Sequence, residues 1–435
     1  MIGYAVAEGR GDARNGPPPG LWQGREGMWS TLLDHGLRAL VREGDLVLCL
    51  PDGSRRRYGD GSGTQLVVRV ADPALVRRLV LNPALAVGEG YMDGGLTVDG
   101  DDLHGLTGLG VRNLSARRGA PWHRALARLR GAARVAQQFN PAGRARANVA
   151  HHYDLSGDLY DLFLDADRQY SCAYFQRPDM TLEEAQAAKT AHVAAKLCLE
   201  PGMRVLDIGC GWGGLAISLA RDHGARVLGV TLSAEQHRLA VERVRAAGLS
   251  DRVQIRLMDY RDVTERFDRV VSVGMFEHVG VPHYREYFEA VQARLGPQGV
   301  ALIHTIGRTS PPGTTNPWIA KYIFPGGYTP ALSKMMAAVE RTDLWPTDVE
   351  VWRLHYAETL RHWHDRFVAN IDRAEALYDA RFCRMWRFYL AACEMGFRVG
   401  RQCVFQLQLA RDRAAVPLTR DYLHPGGGAL AHAAE

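Results

Sequence analysis

Glu277 and His304 are the residues of this chain best placed to move a proton. Glu277 follows the apolar run Phe267–Val273, and His304 closes the run Val300–His304. Both runs read as strands. An ionisable residue at the end of each of two neighbouring strands puts a carboxyl and an imidazole beside one crevice. A histidine alone is more often a satisfied structural residue, and the carboxylate one strand away is what marks His304 for catalysis. His278 reads as the start of the next helix and is set aside.

A second constellation would bind rather than react. The apolar run Val205-Leu206-Asp207-Ile208 breaks into Gly209-Cys210-Gly211-Trp212-Gly213-Gly214, four glycines within six positions. Glycine lets the backbone turn tightly and lets a ligand lie against bare main chain. The spacing is GxGxGG rather than GxGxxG, which leans away from NAD and towards S-adenosylmethionine (SAM). After the next strand come Thr231-Leu232-Ser233-Ala234-Glu235-Gln236. The ribose-binding acid of a dehydrogenase is missing there, and Thr231 and Gln236 are the polar groups on offer. Asp259-Tyr260-Arg261 follow the third strand, with Asp259 placed for an adenine amino group and Tyr260 to cover the ring. Asp207 could instead serve a helix dipole. Upstream, Tyr170-Ser171-Cys172-Ala173-Tyr174-Phe175 would fold over the ligand as an aromatic lid, its rings attracting a sulfonium cation. The plainer alternative makes these residues core.

The elements that must position these groups alternate. Strands are expected at Arg204–Ile208, Arg226–Val230, Val253–Leu257, Phe267–Val273 and Val300–His304. Helices lie between them, as at Ala234–Ala247, with Leu239, Val241 and Val244 on its apolar face. That alternation predicts a parallel sheet covered on both faces. An earlier, smaller mixed unit holds strands at Asp45–Leu50 and Thr64–Val70, a turn at Pro51–Ser54 and a helix at Asp72–Leu81. Gly88–Gly94 is so glycine-rich that a loop is expected.

Composition narrows the class. The chain has 435 residues, 46% hydrophobic and 23% charged, with a net charge of +5, which suits a globular protein. No apolar run approaches the roughly 20 residues of a membrane span, and the N-terminus lacks the apolar core of a signal peptide. Seven cysteines without CxxC spacing argue for reduced thiols in a cytoplasm and against a zinc site. From Asn113 to Ala150 there are eight arginines and no acid. Trp122, Leu126, Leu129 and Ala133 recur there at helical spacing, with Arg124, Arg128, Arg130 and Arg134 on other faces. Such a stretch is either a helix for an anionic membrane surface or a solvated linker.

Together these segments resemble the bacterial cyclopropane-fatty-acyl-phospholipid synthases, relatives of the mycolic acid cyclopropane synthases. The matching pieces are HYDLS, YSCAYF, VLDIGCGWGG, GVTLSAEQ, DYRD, FDRVVSVGMFEHVG, LIHTIG, WIAKYIFPGG, HYAETLRHW and ACEMGFR, spanning roughly 150–409. GEGYMDGG in the earlier unit matches less specifically. The resemblance implies a class I SAM-dependent methyltransferase, with a Rossmann-like, mostly parallel seven-stranded sheet and a smaller mixed α+β N-terminal domain. With the Gly- and Pro-rich start of the chain read as disordered, the expected division is a disordered 1–25, an accessory lipid-binding domain at 26–112, the basic linker at 113–148, the catalytic domain at 149–424 and a disordered tail at 425–435.

The implied reaction is methylene transfer from SAM to a cis double bond in a phospholipid acyl chain, with bound bicarbonate as general base. The implied bicarbonate cradle is Cys172, Glu277, His304, the main chain of Ile306, and Tyr356. Cys393 matches a cysteine once put forward as the family's active-site residue, although the chemistry needs no thiol. An alkene is a weak nucleophile, so the methyl donor must be a strong electrophile held in line. The resulting cation calls for a dry, aromatic site, with Tyr170, Tyr174, Phe276, Tyr322, Phe324 and Tyr356 as candidates. The resemblance further implies a homodimer that docks peripherally on the cytoplasmic face of the membrane, aided by the basic linker, and no nucleic-acid partner; Tyr91 and Met92 fit a structural loop better than a part in docking. The nearest rival is methyl transfer ending in a methylene or methyl branch. A methyltransferase for soluble substrates, a non-catalytic lipid-binding protein and an NAD dehydrogenase fit the residues less well.

Overall fold

A computed structural model describes residues 20–116 and 157–423. The basic stretch with Trp122 and Arg124 to Arg134, the HYDLS segment and the tail lie outside the described residues. So does most of 1–25, although the first helix already begins at Gly20.

The N-terminal unit holds helices α1 (Gly20–Leu40), α2 (Pro73–Leu81), α3 (Pro83–Met92) and α4 (Leu103–Ala116). Its strands are β1 (Asp45–Cys49), β2 (Arg55–Tyr58), β3 (Gln65–Val70) and β4 (Leu96–Val98). They form one sheet in the order β2-β1-β3-β4, with β1 and β3 parallel. Asp72 caps α2 by accepting from the Leu75 amide at 2.8 Å, and Pro73 fills the first turn, where its missing N–H is not needed.

Gly88–Gly94 is not the loop expected from its composition, because α3 runs through to Met92. Its glycines serve close packing. A Cβ on Gly88 would stand 2.5 Å from Trp318 Nε1, and one on Gly90 would stand 3.0 Å from the Leu75 side chain. Tyr91 and Met92 are buried in this helix, so the structural role expected of them holds within a helix rather than a loop, and neither is exposed for docking.

The catalytic unit opens with α5 (Gly157–Asp161) and α6 (Leu182–Lys196). The latter starts in a capping box in which Thr181 and Glu184 exchange side-chain-to-amide hydrogen bonds. Then come β5 (Arg204–Ile208), α7 (Gly214–His223), β6 (Arg226–Thr231), α8 (Ala234–Ala246), β7 (Val253–Leu257), β8 (Phe267–Val273), α9 (Tyr284–Arg294) and β9 (Leu295–Arg308). Beyond them lie α10 (Pro317–Tyr322), α11 (Leu332–Val339), β10 (Trp345–Trp352), α12 (His355–Ala369), α13 (Ile371–Leu377), α14 (Ala380–Arg398) and β11 (Gln402–Ala410).

The seven strands lie in the order β10-β11-β9-β8-β5-β6-β7, with β5 to β9 parallel and β11 antiparallel to β9. This is the expected sheet, with the antiparallel strand added near one edge. Successive strands leave β5 first towards β7 and then, from β8, the other way. That reversal opens a crevice at the carboxyl ends of β5 and β8. On α8, Val244 is buried and Leu239 half-buried, but Val241 is 43% exposed, so the buried stripe runs through Gln236, Ala240 and Val244. Helix α14 packs on α12 and also on α3 and α4, joining the two units through one aromatic core.

Candidate active site

At the crevice the strand β5 ends in Asp207, and the chain turns through Gly209 and Gly211, both in the left-handed region at φ 79° and 55°. The cleft they floor measures about 1240 Å³ and is lined by Tyr170, Ser171, Asp207, Gly209, Cys210, Gly211, Thr231, Leu232, Gln236, Asp259, Tyr260 and Arg261. All the expected donor-site residues are there except Gly213. That glycine, at φ 80°, instead stands at the head of α7 beneath Ala240, and Trp212 and Gly214 line the cleft in its place.

Asp207 caps no helix. Its Oδ2 is buried with no hydrogen-bond partner among the described residues, and burial pushes its carboxyl up to about 7, against the pull of Lys189. Lys189, wholly buried on α6, donates to Gln169 Oε1 at 2.7 Å and Ser171 Oγ at 3.0 Å. Nothing in its alternating Ala/Gln surroundings marked this lysine in the sequence. Thr231 Oγ1 donates to Gln236 Oε1 at 2.8 Å. Asp259, expected to face adenine, already accepts from Arg261 Nε at 2.9 Å and Nη2 at 2.6 Å.

A second chamber of about 670 Å³ adjoins the first and shares Tyr170, Ser171, Gly274 and His278 with it. Cys172, Glu277, His304, Ile306 and Tyr356 all line it. The local sequence aims Glu277 inward. Strand β8 stops at Gly274, in the left-handed region at φ 68°, and one turn of 3₁₀-helix follows at Phe276–His278. Phe276 plugs the core against Tyr284 and Tyr287, which sends its neighbour Glu277 to the other side.

Glu277 Oε1 accepts from the Ile306 amide at 2.6 Å, while Oε2 is buried and has no partner among the described residues. The Ile306 N–H expected to hold an anion is therefore engaged by Glu277. Burial, opposed by hydrogen bonding to its own amide and to that of Ile306, pushes the Glu277 carboxyl up to about 7. His304 is buried and titrates well below the usual histidine range, because burial and the cations Lys189 and Lys196 disfavour the imidazolium. The imidazole is therefore neutral. Cys172 Sγ donates to its neighbour's carbonyl, Ala173 O, at 3.3 Å, and burial keeps it a thiol. The Ala173 amide donates to Thr359 Oγ1 on α12 at 3.0 Å, pinning the Tyr170–Phe175 segment.

The aromatic lining differs in part from expectation. Tyr170, Phe324 and Tyr356 face the chamber together with Tyr328. Tyr174 stacks between His192 and Trp352, Phe276 is core, and Tyr322 donates to Glu89 at 2.8 Å. Cys393 lines neither cavity, and burial pushes its thiol up to about 12, so no thiolate is available. His278, set aside in the sequence, lines both cavities, and burial lowers it to about 4. Its place on the turn after a strand end was the signal that could have found it.

A glycine-floored cleft at the reversal point of a mostly parallel seven-stranded sheet defines a class I SAM-dependent methyltransferase. Solved structures agree. The cyclopropane synthase MmaA2 of Mycobacterium tuberculosis matches at TM-score 0.59 and 34% identity, over 62% of this chain and 99% of that one. The mycolic acid cyclopropane synthase CmaA1, complexed with SAH and CTAB, matches at TM-score 0.59 and 34% identity, over 63% of this chain and 99% of that one. A family model described as mycolic acid cyclopropane synthetase matches residues 141–407, and a domain of unknown function matches residues 42–108. The cyclopropane-fatty-acyl-phospholipid synthase of Escherichia coli is 41% identical over 79% of this chain and 87% of its own length. The tuberculostearic acid methyltransferase UfaA1 of Mycobacterium tuberculosis is 38% identical over 86% and 90%. The chain belongs to the mycolic acid cyclopropane synthetase family and is a SAM-dependent methyltransferase.

Proposed function

We propose that this enzyme moves a methylene from SAM to the cis double bond of an unsaturated phospholipid acyl chain. The observation that carries the reading is the pair of adjoining cavities with Tyr170, Ser171, Gly274 and His278 at their junction. One cavity suits a nucleoside, with bare backbone and the unpartnered Asp207 Oδ2. The other is smaller, walled in part by Tyr170, Phe324, Tyr328 and Tyr356, and has Glu277, His304 and Cys172 among its polar groups. A double bond beyond the junction meets a sulfonium methyl presented from the first side. Attack breaks the sulfur–carbon bond and leaves a cation on the acyl chain. Ring faces stabilise that cation while the walls exclude water.

Ring closure then needs a proton removed from the former methyl carbon. The unpartnered Glu277 Oε2 and the neutral His304 fit a small oxyanion: one group hydrogen-bonds to its hydroxyl, the other can donate to its oxygens. When bound, bicarbonate supplies an oxygen base small enough to share the chamber with an acyl chain. Glu277 and His304 hold and orient it, and Tyr356 closes the same wall. Turnover should fall in buffer purged of carbon dioxide and return when bicarbonate is added. Turnover indifferent to bicarbonate would remove the base from the account.

A second reading, methyl transfer that ends in a branch, is favoured by the likeness to the tuberculostearic acid methyltransferase. Both begin from one cation and differ in which proton leaves. The anion cradle supports ring closure. Phospholipid as substrate, docking on the inner face of the membrane and a homodimeric assembly belong to the same proposal. No helix among the described residues is long and apolar enough to cross a membrane.

A further inference from the structure

We propose that Gln406 is a positioning residue for this reaction: its side-chain amide holds the proton of His304 on Nε2, the ring nitrogen left for the chamber. The inference deepens the reading above and rests on it. Antiparallel pairing sets Gln406 of β11 directly opposite His304 of β9, and Glu350 of β10 directly opposite Gln406. Residues paired in this way share a face of the sheet, so a carboxylate, an amide and an imidazole stand in one row.

Glu350 is already engaged, with His192 Nε2 at 2.8 Å and Lys196 Nζ at 2.5 Å. Gln406, fully buried, places its amide nitrogen 3.1 Å from His304 Nδ1. An amide NH₂ can only donate. Nδ1 must therefore offer its lone pair, and a neutral imidazole then carries its hydrogen on Nε2. Trp352 stands edge-on to the ring at 5.1 Å and limits its rotation.

The arrangement matters because an oxyanion beside Glu277 needs a donor from the histidine. With the hydrogen on Nδ1 instead, Nε2 would turn a lone pair towards the anion and repel it. Gln406 also leaves its own Oε1 buried and without a partner among the described residues. An apolar side chain of similar size would avoid that orphan, so packing alone does not account for the amide here. Nothing in the sequence links residues 102 positions apart; only the strand register does.

Nitrogen-15 NMR of histidine-labelled enzyme tests this directly, with the His304 signals assigned by their loss in His304→Ala. The expected result is a protonated Nε2 and an unprotonated Nδ1. Gln406→Glu presents a carboxylate that accepts from Nδ1–H, so the tautomer should reverse. Turnover should then fall by about 100-fold or more while SAM affinity holds, since a wrongly protonated or missing donor has effects of that order. Gln406→Met, similar in size and uncharged, should lose turnover without reversing the tautomer, and it serves if the buried glutamate prevents folding. A protonated Nδ1 in the parent enzyme, or full turnover in a folded Gln406→Met, overturns the proposal. If His304→Ala is inactive while Gln406→Met is fully active, Gln406 alone loses its role. If His304→Ala keeps full turnover, the reading of the whole chamber falls with it.

Discussion

Glu277 carries opposite consequences for turnover and for stability. In the proposed reaction its carboxyl orients the bound oxyanion, so Glu277→Gln, like His304→Ala, should cut turnover by about two orders of magnitude or more. SAM affinity by isothermal titration should be nearly unchanged, because neither residue lines the donor cleft; lost affinity would contradict the assignment. The same burial raises the carboxyl from 4.5 to about 7. Between those values the unfolded chain sheds its proton while the folded protein keeps it, so this group's contribution to stability falls as pH rises. The loss is bounded at about 3 kcal/mol. The parent should therefore melt below Glu277→Gln at pH 7.5 and level with it at pH 4.5, and equal melting at both would refute the buried neutral carboxyl. Asp207, raised in the same direction, is common to both proteins and cancels from the comparison. At this scale Glu277 was legible because the end of β8 can be read from its apolar run; His304 was marked at an expected strand end but lies inside β9, which runs on to Arg308. Gln406, Lys189 and the engaged Ile306 amide were not, since each owes its role to a partner that only tertiary register supplies.

At the scale of elements, the parallel strands β5 to β8 were legible from short runs rich in Val, Ile and Leu, whereas β9 runs beyond the expected Val300–His304 to Leu295–Arg308. Helix α3 was not legible, because glycine's low helix propensity outweighed a packing reason that lies far along the chain. Gly88 lets α3 approach Trp318 of α10, and Trp318 Nε1 donates to Met92 Sδ at 3.2 Å. Glu89 on the same helix accepts from Lys321 Nζ at 2.7 Å and Tyr322 Oη at 2.8 Å. The segment carrying Ile319 and Phe324, which wall the chamber, is thus clamped by the N-terminal unit. Gly88→Ala puts a Cβ against the indole ring and should destabilise the protein by about 1–3 kcal/mol in urea unfolding, as overpacking does. The Michaelis constant for lipid should rise more than that for SAM. An unchanged midpoint and unchanged constants would show that α3 and α10 are not tightly coupled.

For the whole molecule, the two units share one aromatic core, and ion pairs cross between them. His104 of α4 bonds Glu394 of α14 at 2.9 Å, and Arg381 pairs with Asp93 at 2.8 Å. In the proposed reaction one surface of the protein meets a bilayer while the chamber receives an acyl chain. The arginines at 124, 128, 130 and 134 supply positive charge without a nearby acid in the sequence. Neutralising all four should weaken flotation with anionic vesicles and reduce its salt sensitivity; flotation unchanged would remove the basic stretch from the docking account. The proposed reaction leaves a new three-membered ring on an acyl chain, and the structure of the product decides it. Purified enzyme, SAM labelled with carbon-13 in its methyl group and vesicles of a cis-unsaturated phospholipid should yield lipid whose ring methylene carbon carries the label, its hydrogens lying at unusually high field and split by carbon-13 in the proton NMR spectrum. A labelled exocyclic methylene or methyl branch, with no high-field signal, would contradict it.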